Sequence, residues 1–88
     1  MKTTSEVLKE RGANYGLFKH NAMCSQGMKS IARMGSNYSD LSSSQRESID
    51  MILHKIARIV NGDPSYVDSW TDIAGYARLV EEELNVNV

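Results

Sequence analysis

The run Ile49, Ile52, Leu53, Ile56, Ala57 and Val60 constrains the fold more than any other feature of the chain. These apolar residues fall at i, i+3, i+4, i+7, i+8 and i+11, which is one continuous face of an α-helix and cannot be one face of a strand. Ahead of the stripe, Ser44 and Glu47 have capping-box spacing, and Leu41 is placed to staple the start. Behind it, Gly62 stands where a helix C-terminus closes. Asp63 and Pro64 then predict a turn or a single helical turn, because Pro is favoured at a first helical position behind a capping Asp.

The rest of the chain also has helical spacing. Trp70, Ile73, Ala74, Ala77, Val80 and Leu84 predict the buried side of a last helix, with NVNV as a frayed tail. From about Leu17 to Met34, Phe18, Ala22, Met23, Ile31 and Met34 recur more loosely before Gly35, and the several Met side chains give an adaptable packing surface. TTSEVLKERG offers hydroxyl caps before Glu6 and runs into Gly12, which predicts a short first helix, with Tyr15 and Gly16 as a turn. SNYSDLSSS is polar and Ser-rich, and reads as the loop before the central helix. Val, Ile and Thr show no sustained alternation at period two, so strands are not expected. The chain is therefore expected to be all-α: a single domain over 1–88, built as a compact bundle of about four helices with ligand sites between facing helices. Small bundles of this kind also tend toward homo-oligomers.

Composition narrows the function classes. With 88 residues there is chain for one modest core, and the 41% hydrophobic and 24% charged content is that of a folded domain. A net charge of -1 leaves no basic footprint for duplex nucleic acid. No apolar run approaches the ~20 residues of a membrane span, and no secretory leader pattern opens the chain. Cys24 has no partner for an internal disulfide, which fits a reducing cytoplasm. It follows Ala22 and Met23 without a nearby His, and reads as a small core residue rather than a nucleophile. His20 and His54 lack zinc-site spacing, and neither a P-loop, a G-x-G-x-x-G turn nor a G-x-S-x-G elbow is present. No catalytic nucleophile is assigned.

Carboxylates carry the remaining chemical signal. Asp68 and Asp72 are one helical turn apart, and Tyr76 continues their row. Gly75, in mid-helix at a cost of about 1 kcal/mol relative to Ala, predicts a close approach there. Glu47 and Asp50 form a second acidic pair on the preceding helix. If the two helices are antiparallel neighbours, the pairs converge, and an all-oxygen set suits magnesium bridging phosphate oxygens. On a helical projection Glu47, Asp50, His54 and Arg58 span about 100° to 180° from Ile49, with Lys55 near 240°. A simpler reading stands beside this one: acidic residues early and basic residues late suit a helix dipole, and Asp68 before SWT suits an N-cap.

The blocks HKIARIVNGDPSYVDSWTDIAGYARLV and ERGANYGLF resemble a group of small bacteriophage and prophage proteins over most of the chain. More distantly, the pattern resembles the MazG-like all-α nucleotide pyrophosphohydrolases, whose E-x-x-E and E-x-x-D motifs bind magnesium. By that resemblance Glu47 and Asp50 stand for the first motif, with Asp replacing the second Glu, and Asp68 and Asp72 for the second, at the wider spacing D-x-x-x-D. Lys55, Arg58 and Arg11 would then meet phosphates, with Tyr15 or Trp70 stacking on a base and Tyr76 alongside. The resemblance implies a phage-encoded nucleotide-binding protein of the infected bacterial cytoplasm, either a magnesium-dependent nucleoside triphosphate pyrophosphohydrolase or a binder that sequesters a nucleotide or a nucleotide-derived defence signal. A third expectation, motivated by small size and the acidic EEEL end, is a protein that docks on a host or phage protein.

Overall fold

The computed structural model describes residues 1–86, among which there are four α-helices and no strand: α1 Thr4–Tyr15, α2 Phe18–Ala32, α3 Ser43–Asn61 and α4 Val67–Asn85. The expected all-α class is the observed one. A single 3-10 turn, Tyr38–Asp40, sits inside the Ser-rich connection. Of the expected tail, Asn85 still belongs to α4 and Val86 follows it, while Asn87 and Val88 lie outside the described residues.

α3 is the helix on which the others pack. Its capping box is real but lies two residues earlier than the spacing of Ser44 and Glu47 suggested. Ser42 accepts from the Gln45 N–H at 3.1 Å, and the Gln45 side chain accepts from the Ser42 N–H at 2.8 Å. Gln serves as well as Glu at this position, and the pair satisfies two otherwise orphaned N–H groups, worth about 1 kcal/mol. Gly62 closes the helix as expected, donating its N–H to the Arg58 carbonyl at 2.9 Å. Asp63 then accepts from the Ser65 N–H at 2.9 Å and makes the predicted turn.

α3 and α4 are antiparallel neighbours. Ser44 near the start of α3 donates to Glu83 near the end of α4 at 2.9 Å, and Lys55 meets Asp72 at 2.8 Å. These two pairs fix the register. On α3, Lys55, Ser48 and Ile52 face α4, whereas His54 and Arg58 face α1 and α2. The 100° step per residue produces this division, so the charges of α3 are shared between two unlike surroundings.

α1 is longer than TTSEVLKERG suggested. Thr3 caps it by accepting from the Glu6 N–H at 3.1 Å, and it continues through Gly12 to Tyr15 because no proline or left-handed residue stops it there. Gly16 ends it with φ 82°, a conformation that favours glycine. A Cβ on Gly16 would strike the Asn61 carbonyl, and one on Gly62 would strike the backbone of Asn14 and Tyr15. The α1–α2 turn and the end of α3 therefore interlock backbone to backbone. The Asp63 N–H seals the contact by donating to the Asn14 carbonyl at 2.8 Å.

The predicted buried side of α4 is the main departure. Ile73 and Val80 are half-buried, but Trp70, Ala74, Ala77 and Leu84 are exposed. The face turned to α3 instead carries Ser69, Asp72, Ile73, Tyr76 and Val80. Ser69 and Asp72 share that face with Ile73, Tyr76 and Val80, and apolar periodicity alone does not say which of two overlapping arcs is covered. Gly75 likewise has nothing within 4 Å of a Cβ built on it, so no close approach among the described residues explains it. Cys24 is half-buried rather than a core residue. Among the described residues only Ala57 and Ile59 are buried apolar side chains.

Candidate functional site

The interlock at Gly16 and Gly62 holds three helix ends together, and a cleft of about 320 Å³ opens beside it. Each wall follows from helical spacing. α1 contributes Leu8, Arg11, Gly12 and Tyr15, at i, i+3, i+4 and i+7 on one face. Phe18 and Asn21 come from the start of α2, one turn apart, and His54 and Arg58 come from α3, again one turn apart. Leu17 completes the apolar rim.

The cleft is cationic. The Arg58 guanidinium lies over the Tyr15 ring, 4.2 Å from its centroid, and Tyr15 is in turn met edge-on by Tyr66 at 5.5 Å and 81°. A stacked guanidinium keeps its edge donors free, so Tyr15 fixes where Arg58 can donate. Among the described residues neither Arg11 nor Arg58 is paired with a carboxylate. Burial pushes the His54 imidazole below its usual value of 6.5, and the charges of Arg58, Lys29 and Lys55 push it the same way. His54 is therefore neutral near pH 7, and a hydrogen-bonding group rather than a fixed charge.

Asn21 adds direction. Its side-chain N–H donates to the Tyr15 carbonyl at 2.8 Å, and since a carbonyl only accepts, this bond sets the amide's orientation. Among the described residues the other end, Oδ1, is a buried acceptor without a partner, on a residue only 6% exposed.

Three of the residues expected to bind a nucleotide, Arg11, Tyr15 and Arg58, meet in this cleft. The other three do not. Lys55, whose side chain is only 12% exposed, is paired with Asp72, and this ion pair joins α3 to α4. Trp70 is 54% exposed and donates its indole N–H to the Pro64 carbonyl at 2.8 Å, closing the turn before α4. Tyr76 borders a separate shallow hollow with Thr71, Asp72, Gly75 and Leu79.

The four carboxylates expected around magnesium are not brought together. The antiparallel arrangement that their convergence needs is present, but its register sets Asp72 opposite Lys55, and Asp68 one turn further toward the end of α3. Glu47 and Asp50 lie toward the other end, about 8–18 Å along the axis from those positions, and on a different face of α3. Among the described residues no three His, Cys, Asp or Glu side chains gather as a metal site. Asp68 is not the N-cap of α4 either. Tyr66 holds that position, and Asp68 sits in the first turn, where a negative charge suits the helix dipole. It lies beside the Tyr66 phenol and raises it above its ordinary value of 10.0, by hydrogen bonding first and charge second.

Leu8, Phe18, Asn21 and His54 are cleft residues that sequence reasoning did not assign to a site. The spacing of Leu8, Arg11 and Tyr15 was the available signal, but it is hidden once Gly12 is taken as a helix end. For Asn21 no sequence signal exists, because its bond to the Tyr15 carbonyl depends on how α2 turns back on α1.

In comparison with known proteins, the model of a family described as "Domain of unknown function (DUF6378)" matches residues 1–84. Neither a curated protein nor a solved structure matches the chain.

Proposed function

The chain belongs to the DUF6378 family, and we propose that it binds a nucleotide or nucleotide-derived anion in the cleft between α1, α2 and α3. One observation carries the reading: two arginines without carboxylate partners among the described residues line the same cleft, one of them stacked on Tyr15. Arg11 and Arg58 supply charge-assisted donors for phosphate oxygens. Phe18, exposed at the rim, offers a face to a base. Tyr15 holds Arg58 in place, so its contribution is to position the phosphate contact.

Holding the ligand intact fits these residues better than cleaving it. A magnesium-assisted hydrolysis needs a gathered oxygen set, and within one chain Glu47, Asp50, Asp68 and Asp72 do not form one. The residues do not fit the metal. The resemblance to phage proteins makes an intracellular nucleotide or nucleotide-derived defence signal the ligand class of choice.

The test is a panel of nucleoside mono-, di- and triphosphates and cyclic nucleotides, with and without magnesium, following thermal stabilisation and ligand integrity together. The expected result is magnesium-independent stabilisation by one class of nucleotide, recovered intact. Release of monophosphate and pyrophosphate would replace this reading with the hydrolase, and no stabilisation by any member would remove it.

A further inference from the structure

The exposed apolar side of α4 has an order of its own. Val67, Trp70, Ala74, Ala77, Glu81 and Leu84 are spaced by three, four, three, four and three residues, which is the heptad seam of a helix that packs along another helix. At 100° per residue these positions share one face about 100° wide. Val67, Trp70 and Leu84 are 69%, 54% and 57% exposed, and Ala74 and Ala77 are exposed with them. Ala77 also borders the apolar hollow over α3, with Leu41, Ile49, Ile52 and Val80, so the seam is continuous with the half-covered stripe of α3.

The surface area says how much is missing. A folded monomer of 9.8 kDa should expose about 5,200 Å². This chain exposes 6447 Å². The excess belongs to the whole chain, the exposed Leu17, Phe18, Met23, Ile31 and Met34 included, and it exceeds the ~800 Å² that each partner contributes to an interface of ordinary size. The core tells the same story, since Ala57 and Ile59 are the only buried apolar residues among those described.

We propose that a second copy of this chain covers the α4 seam, packing helix against helix about a two-fold axis. A heptad face is complementary to itself, as such an axis requires. The one charge on the seam, Glu81, is held by Arg78 of the same chain at 2.7 Å, so two copies meet without an unpaired charge. A net charge of -1 gives them little repulsion, and no excess of either sign that would select an oppositely charged partner. The inference does not depend on the nucleotide reading.

Sedimentation equilibrium and the concentration dependence of thermal unfolding test it on the full chain. The wild type is expected at twice the mass of one chain, with an unfolding midpoint that rises with protein concentration. Ala74→Glu, at a position already exposed in one copy, is expected to weaken association by at least about 100-fold while α-helical content is retained. A wild type of single-chain mass at concentrations on the order of 100 µM, with a concentration-independent midpoint, would overturn the proposal. So would an Ala74→Glu protein of unchanged mass, or a single-chain protein that captures a different protein on this face.

Discussion

Two cations of α3, three residues apart, meet opposite fates. Lys55 points to α4 and is neutralised by Asp72, so its charge joins two helices. Arg58 points to α1, lies on the Tyr15 ring and meets no carboxylate among the described residues. Residue type does not separate them, since both are basic residues on the polar side of one helix. What separates them is the neighbour that the register supplies: an acidic residue on α4 for one, an aromatic residue on α1 for the other. A cation balanced within the fold is structural. One left without a counter-charge in a cleft is available to an anion.

The sharpest way to break this contrast is to remove what holds the cleft together. Gly16→Ala combines a left-handed φ with a backbone collision at Asn61. It is expected to cost about 2–4 kcal/mol, read as a fall in the unfolding midpoint, with loss of ligand-induced stabilisation. A midpoint close to the wild type would show that the interlock does not hold the cleft. Asp72→Asn acts on the other side of the contrast. It leaves the Lys55 charge mostly buried without its partner, and is expected to cost about 1–2 kcal/mol in chemical denaturation without affecting the cleft.

The smallest effect concerns His54, which is driven below its ordinary 6.5 in the folded chain. The unfolded chain then takes up a proton more readily than the folded one. Stability from this group is complete above pH 6.5 and declines as pH falls from 6.5 through the lowered value. His54→Gln is expected to flatten the stability profile over that window. An anion in the cleft offsets the neighbouring cations and favours the protonated ring, so ligand affinity should rise as pH falls through the same range. A profile unchanged by the substitution would remove His54 from the cleft's electrostatics.

How much of this is legible in the sequence depends on whether a feature is local. The helix of Ile49–Val60, its closing Gly62, the Asp63–Pro64 turn and the Tyr15–Gly16 turn follow from spacing and from glycine and proline chemistry, and each is present. Arg11, Tyr15 and Arg58 are candidate ligand contacts by resemblance alone, and their meeting in one cleft depends on how α1 packs against α3. The fate of Asp72 was not legible, since it depends on the register between α3 and α4, which no local signal sets. The apolar face of α4 was visible as a face, yet the chain packs an overlapping, mixed arc of Ser69, Asp72, Ile73, Tyr76 and Val80 on α3 instead. Periodicity finds an apolar arc and leaves open whether the chain itself covers it.

The most direct test of the central claim is calorimetric titration of the best-stabilising nucleotide into wild type, Arg58→Ala and Asp72→Asn. Arg58→Ala removes charge-assisted contacts to the ligand and should weaken binding by on the order of 10- to 100-fold, while its stability changes little. Asp72→Asn should bind as tightly as the wild type despite lower stability. Unchanged binding in Arg58→Ala together with lost binding in Asp72→Asn would contradict the account, and would move the ligand to the acidic side of α4.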